Sequence, residues 1–230
     1  PRLARKSALA YLYTTFETTS VPSGWAEVSS RVSSLFLSLL LLQLFHQPQV
    51  INRYDALLVS CEEIKESFQR GGVSIPIEVV PLGIEPEEWP LLTRNEQPPQ
   101  TPFRFLMYAD GEWENHRKGF PLALKAFSEE FGTDSGVELY LKVTSTSEQL
   151  WHVEKSLPNN VHLIKGKLAQ HKLLTLLRKA HCLLFPSSGE GFGLPPREAM
   201  ATGIPAILAG FAGLESIALE DIAFPLKWTW

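Results

Sequence analysis

Cysteine is scarce in this chain, with two thiols in 230 residues. Cys61 and Cys182 stand far apart in apolar, strand-like stretches, so they offer neither a disulfide framework nor metal-ligand spacing and read as reduced core residues. An excess of positive charge is also missing. The formal net charge is −4 and no basic stripe runs along the chain, which argues against a nucleic-acid partner. No Asp-x-Asp pair is placed to hold a metal and the histidines form no cluster with ligand spacing. No residue set stands out as an enzymic nucleophile. The longest apolar stretch, around Leu35–Phe45, is interrupted by Ser38 and Gln43 and is too short for a membrane span. No signal peptide opens the chain, and Pro1 in place of an initiator Met reads as a piece whose natural start lies upstream. What remains is 44% hydrophobic and 20% charged, the balance of a soluble enzyme with one sizeable core and part of a second.

The most informative stretch runs from Ser187 to Gly203, where Glu190 and Glu198 bracket a glycine-rich turn. The apolar run Cys182-Leu183-Leu184-Phe185 precedes it and Ile204-Pro205-Ala206-Ile207-Leu208 follows, an order of strand, tight loop, short helix, strand. Pro195 and Pro196 suit a helix start and Gly203 suits its C-terminal cap. Backbone N–H groups and the positive end of the helix dipole would favour a phosphate above the strand ends, with both glutamates accepting from hydroxyls beside it. The plain alternative is a strand–helix turn with solvated glutamates.

With seven residues between the two glutamates, Glu-Gly-Phe-Gly-Leu-Pro-Pro-Arg-Glu-Ala-Met-Ala-Thr-Gly-Ile-Pro resembles the paired-glutamate signature of the family 4 retaining glycosyltransferases. The resemblance implies an α/β, GT-B type protein: two Rossmann-like domains, the C-terminal one holding a nucleotide-diphosphate sugar and the cleft holding an acceptor hydroxyl on a saccharide, lipid or other molecule. It implies that Glu190 contacts the donor sugar, Glu198 the ribose, and the amides of Gly191, Phe192, Gly193 and Leu194 the sugar and diphosphate.

The loop Asp110–Phe120 carries the second match. In the family a basic residue followed by a lysine before glycine clamps the diphosphate, and Lys118 before Gly119 takes the lysine position. Glu112 occupies or displaces the upstream basic position, for which Arg117 and His116 are the candidate substitutes; a solvated helix start is the alternative reading of Arg117 and Lys118. Lys165-Gly166-Lys167, after the strand ending at Ile164, sits where the family's base-contacting loop sits, though a solvated turn explains it equally. Glu17 stands where many relatives place a cleft histidine, so it is a candidate for acceptor or donor contact or for proton transfer, against the alternative of a surface glutamate.

Alternating strands and helices from Phe103 predict a doubly wound parallel sheet. The expected elements are strands over 103–108, 137–143, 161–164 and 182–185, helices over 121–131 and 170–180, and a weaker helix around Trp151 and Val153. Residues 103–230 would form a nearly complete donor domain, truncated at its C-terminus. Residues 1–84 read as the end of an acceptor-side Rossmann-like domain, with strands over 8–15, 55–59 and 77–80 and with Ser60-Cys61-Glu62-Glu63 as a capping box. Residues 85–102, rich in Pro, Glu and Gln, read as the linker. Within the first domain, residues 28–49 are Leu/Ser-biased and separate Pro22-Ser23-Gly24-Trp25 from Asn52-Arg53-Tyr54-Asp55, pieces that relatives join almost directly. They read as an insertion or a retained intron, with Leu, Phe and Ser as the products of a pyrimidine-rich tract.

The function the resemblance implies is transfer of a sugar from a nucleotide-diphosphate sugar to an acceptor hydroxyl with retention at the anomeric carbon; in the family this is generally metal-independent, so no metal or other cofactor is expected. A cytoplasmic location is expected, with peripheral membrane contact left open. Two alternatives remain: a sugar-nucleotide-binding module without turnover, and a GT-B phosphorylase or epimerase.

Overall fold

The computed structural model describes residues 11–14, 48–93, 102–109, 116–144 and 154–227. These fall into two compact units, residues 1–82 with 190–192, and residues 83–189 with 193–230.

The first unit is built on a three-stranded parallel sheet in the order β1 (Tyr11–Thr14), β2 (Ala56–Val59), β3 (Ile77–Val79). Leu57 and Val59 of β2 and Ile77 of β3 share a core with Ile51, which ends the short helix α1 (Pro48–Ile51). Helix α2 (Glu62–Arg70) adds Ile64 and Phe68, four positions apart and hence on one helix face. Glu62 and Glu63 in its first turn and Arg70 in its last suit the helix dipole. The capping box is corrected: the N-cap is Cys61, in extended backbone and without a side-chain cap bond. Ser60 stands one position before the N-cap, and its hydroxyl donates to the Gly191 carbonyl, 2.8 Å away. Pro48 and Gln49, the last residues of the expected insertion, belong to α1, and residues 28–47 lie outside the described residues.

The second unit carries a six-stranded parallel sheet. Its strands are β4 (Phe103–Ala109), β5 (Val137–Val143), β6 (Val161–Lys165), β7 (Cys182–Phe185), β8 (Ala206–Ala209) and β9 (Phe224–Leu226). Their spatial order, β6-β5-β4-β7-β8-β9, grows outward in both directions from the β4/β7 pair. Both faces are buried, which is why strands such as Cys182–Phe185 read as continuous apolar runs. Along β4 the side chains alternate. Met107 and Ala109 meet Phe120, Ala123 and Phe127 of α3 (Phe120–Phe131). Leu106 joins the other core with Leu177 of α4 (Gln170–Lys179) and Ala199 of α5 (Leu194–Ala201).

The start of the expected linker is packed structure. Trp89 and Leu92 are buried in the same core as Leu106 and Leu177. The Leu92 amide donates to the Thr202 carbonyl at 3.1 Å and the Gln170 side-chain amide to the Glu88 carbonyl at 2.8 Å. This strap therefore belongs to the second unit, which begins at Gly83. The expected helix around Trp151 and Val153 lies outside the described residues.

Candidate functional site

In an open parallel sheet whose order reverses, ligands bind beyond the carboxyl ends of the two strands at the reversal, because the connections leave them in opposite directions and open a crevice. Here those strands are β4 and β7. After β4 the described chain resumes at a single 3-10 turn, His116–Lys118, and continues through Gly119 into α3. After β7 it passes through Pro186–Gly193 into α5. Each of the two strongest sequence motifs follows one of these strands.

The exits are stitched together by hydrogen bonds. The Arg117 carbonyl accepts from the Ser188 amide at 2.6 Å, from the Ser188 hydroxyl at 3.1 Å and from the Ser187 hydroxyl at 3.3 Å. In return the Arg117 guanidinium donates to the Gly189 carbonyl at 2.7 Å. Arg117 thus fixes the loop that leads to Glu190. Lys118, half-buried, places its ammonium 5.1 Å from the centre of the Phe185 ring, a cation–π distance. Gly119 adopts a left-handed backbone with φ +70° against the Pro186 carbonyl.

Glu190 is 4% exposed, and Gly191, Phe192 and Gly193 are buried beside it in sequence. Gly193 is the N-cap of α5 at φ +74°, and a Cβ there would come within 2.3 Å of Leu214, so the loop closes onto the helix only with glycine. Pro195 and Pro196 lack amide hydrogens and the Arg197 amide bonds to the Gly193 carbonyl at 3.3 Å. The amides this helix start can offer an anion are accordingly those of Gly193 and Leu194.

Glu198 lies half-buried midway along α5. Burial holds its carboxyl above the usual carboxylate range, and the Glu88 carboxylate on the strap adds to the rise. Burial, and then the charge of Glu198, push the Tyr108 phenol well above its ordinary value. Arg197 is turned to the Gly213 carbonyl, 2.9 Å, and the Ser216 hydroxyl, 2.8 Å. A carboxyl whose folded-state pKa is raised binds more protons folded than unfolded, so stability falls as pH rises from the unfolded value toward the folded one. Glu198→Gln is therefore expected to melt above the parent protein at neutral pH, with the gap closing as pH is lowered below about 4.5. Thermal melts across that range check it.

Lys165 ends β6, the outer strand two places from β4, and its ammonium is ion-paired with Glu154. Gly166 turns the chain at φ +83° and Lys167 is exposed. Glu17, Glu112 and the side chain of His116 lie outside the described residues. Tyr108 and Glu88 were missed by sequence reasoning: one sits in an ordinary apolar strand and the other in a Pro/Glu-rich stretch, and neither carries a local signal. Among the described residues no group of three or more His, Cys, Asp or Glu gathers as a metal site, and no helix is long and apolar enough to cross a membrane.

A model of family 4 glycosyltransferases in conflict systems matches residues 60–223. Glycogen synthase of Mycobacterium tuberculosis is 31% identical over 165 residues, which cover 68% of this chain and 38% of that protein. The chain thus spans about two fifths of that relative's length. Among solved structures, TarM superposes with a TM-score of 0.70 at 14% identity, covering 96% of this chain and 41% of TarM. A trehalose-6-phosphate protein from E. coli, bound with UDP-2-fluoro glucose, gives 0.63 at 15% identity, covering 94% of this chain and 56% of that one.

Proposed function

This chain belongs to the family 4 glycosyltransferases, and we propose that it binds a nucleotide-diphosphate sugar for retaining transfer to an acceptor hydroxyl. One observation carries the reading: the Lys118 exit and the Glu190 exit follow the two strands of the topological switch point and are bonded through Arg117. The UDP-2-fluoro glucose held by the E. coli neighbour supports the donor class.

In this reading Lys118 meets the charge that builds on the departing diphosphate, so the step needs no metal. Glu190 orients the sugar, Glu198 holds the ribose hydroxyls, and the amides of Gly193 and Leu194 approach the diphosphate. The acceptor oxygen bonds to the anomeric carbon on the face from which the diphosphate leaves, and the acceptor proton passes to a diphosphate oxygen. Arg117 holds the loop through one guanidinium N–H bonded to the Gly189 carbonyl and remains a candidate for the diphosphate through its other donors. The free thiols Cys61 and Cys182 suit a reducing, cytoplasmic location; burial pushes them up to about 12 and about 11, which keeps them protonated and chemically quiet.

Saturation-transfer NMR with uridine and guanosine diphosphate sugars tests the donor, with released nucleotide as the readout of turnover. Lys118→Ala is expected to weaken donor binding by about 10–100-fold, the worth of one charge-assisted hydrogen bond. A donor affinity unchanged by that substitution would remove Lys118 from the site. Donor binding without nucleotide release, with acceptors supplied, would leave a binding module instead of a transferase.

A further inference from the structure

The Tyr108 hydroxyl is buried and has no hydrogen-bond partner among the described residues. An orphaned buried hydroxyl destabilises a core, and a phenylalanine of the same shape would avoid it. Tyr108 sits near the carboxyl end of β4, the strand that opens the switch point. Its ring packs in the core that also holds Ala199, next to Glu198, and Trp89, next to Glu88. Glu198 is near enough for its charge to act on the Tyr108 phenol, and Glu88 near enough to act on Glu198, so a phenol on β4 and carboxyls on α5 and the strap border the same core. Among the described residues the charge that acts on Glu198 is the Glu88 carboxylate, Glu198 in turn acts on the Tyr108 phenol, and the Arg197 guanidinium bonds to Gly213 and Ser216.

We propose that Tyr108 is a positioning residue for Glu198: its phenol is the hydrogen-bond donor to which the ionised carboxylate turns, leaving the second carboxylate oxygen to accept from the donor's ribose hydroxyls. The inference rests on the role given to Glu198 above. The chemistry is complementary. A carboxylate that is half-buried beside a second carboxylate resists ionisation, yet only its ionised form accepts on both oxygens. A phenol held dry next to it supplies a donor that strengthens when the charge appears. Glu88 acts in the opposite sense, disfavouring the charge.

The test is a side-chain carboxyl NMR titration of Glu198 in the ligand-free protein, assigned with Glu198→Gln, beside affinities for uridine diphosphate and uridine diphosphate glucose as a function of pH. In Tyr108→Phe the Glu198 midpoint is expected to rise by roughly half to one pH unit, the worth of one hydrogen bond. Donor binding should weaken most at low pH and recover as pH is raised, while the melting temperature is unchanged or higher. Glu88→Gln should move the midpoint down and strengthen binding at low pH. A titration of Tyr108→Phe that superimposes on the parent curve overturns the proposal, whatever the donor affinities. Failure of the parent protein to bind either nucleotide, with the titration shifted as expected, would instead defeat the donor assignment and leave the Tyr108–Glu198 pairing standing.

Discussion

Glu190→Gln is expected to lower sugar transfer by about 10²–10³-fold, the usual effect of removing one oriented group that answers charge in the transition state. The carboxylate is 4% exposed at the turn between β7 and α5. Burying a carboxylate is costly unless its oxygens are hydrogen-bonded, so Glu190 is held by interactions that glutamine keeps only in part. Glutamine keeps the length, the planar end and one acceptor, and loses the charge and the second acceptor. Stability should change little, since a smaller desolvation penalty offsets weaker hydrogen bonds. The kinetic signature separates the roles. If Glu190 acts mainly on the developing positive charge of the sugar, kcat and kcat/KM fall together; if it only holds ground-state hydroxyls, KM rises with kcat kept. Transfer within about threefold of the parent would remove Glu190 from the chemistry.

The doubly wound sheet was legible in the sequence for a physical reason, and the GT-B type through the motif resemblance. Strands buried on both faces appear as apolar runs, as in β4 and β7, whereas β5 alternates Leu139, Leu141 and Val143 with Glu138, Tyr140 and Lys142, and the helices between them show one-sided periodicity. The expected bounds 137–143 and 182–185 coincide with β5 and β7, and the helix ends differ by one residue, as fraying termini do. What the sequence could not display was any pairing decided by distant atoms. Ser60 lies three positions before Glu63 and so has capping-box spacing, yet its hydroxyl bonds to Gly191, 131 positions away. Trp89 and Leu92 were hidden by Pro- and Glu-rich neighbours, and their anchoring became visible only against the core of β4, α4 and β7. Arg117 reads as a candidate for the family's basic position, and its bond to the Gly189 carbonyl, 72 positions on, has no local signal. Glu198 was legible through its motif, whereas its phenolic and acidic neighbours, Tyr108 and Glu88, come from segments 90 and 110 positions earlier.

Gly119→Ala should be the most damaging small substitution in the second unit. Gly119 stands at φ +70°, a conformation that costs an L-residue roughly 1–2 kcal/mol. The added methyl carbon would also lie 2.3 Å from the Pro186 carbonyl oxygen and 2.9 Å from its ring. Neither neighbour can swing aside as a side-chain tip would, because the oxygen is backbone and the ring is fixed to it. The two exits must separate, straining the bond from the Ser188 amide to the Arg117 carbonyl, so an overpacking penalty of about 1–3 kcal/mol adds to the backbone term. For a chain of this size the melting temperature is expected to fall by roughly 5–15 °C. Donor binding should suffer at temperatures where the variant is still folded, because the same separation displaces Lys118 and the loop that Arg117 holds. Leu122→Ala is the control: Leu122 is on the same helix and 64% exposed, so its loss removes little buried surface and should leave both melting and binding close to the parent. A Gly119→Ala protein that melts and binds like this control would show that the close approach of Gly119 to Pro186 does not exist in solution.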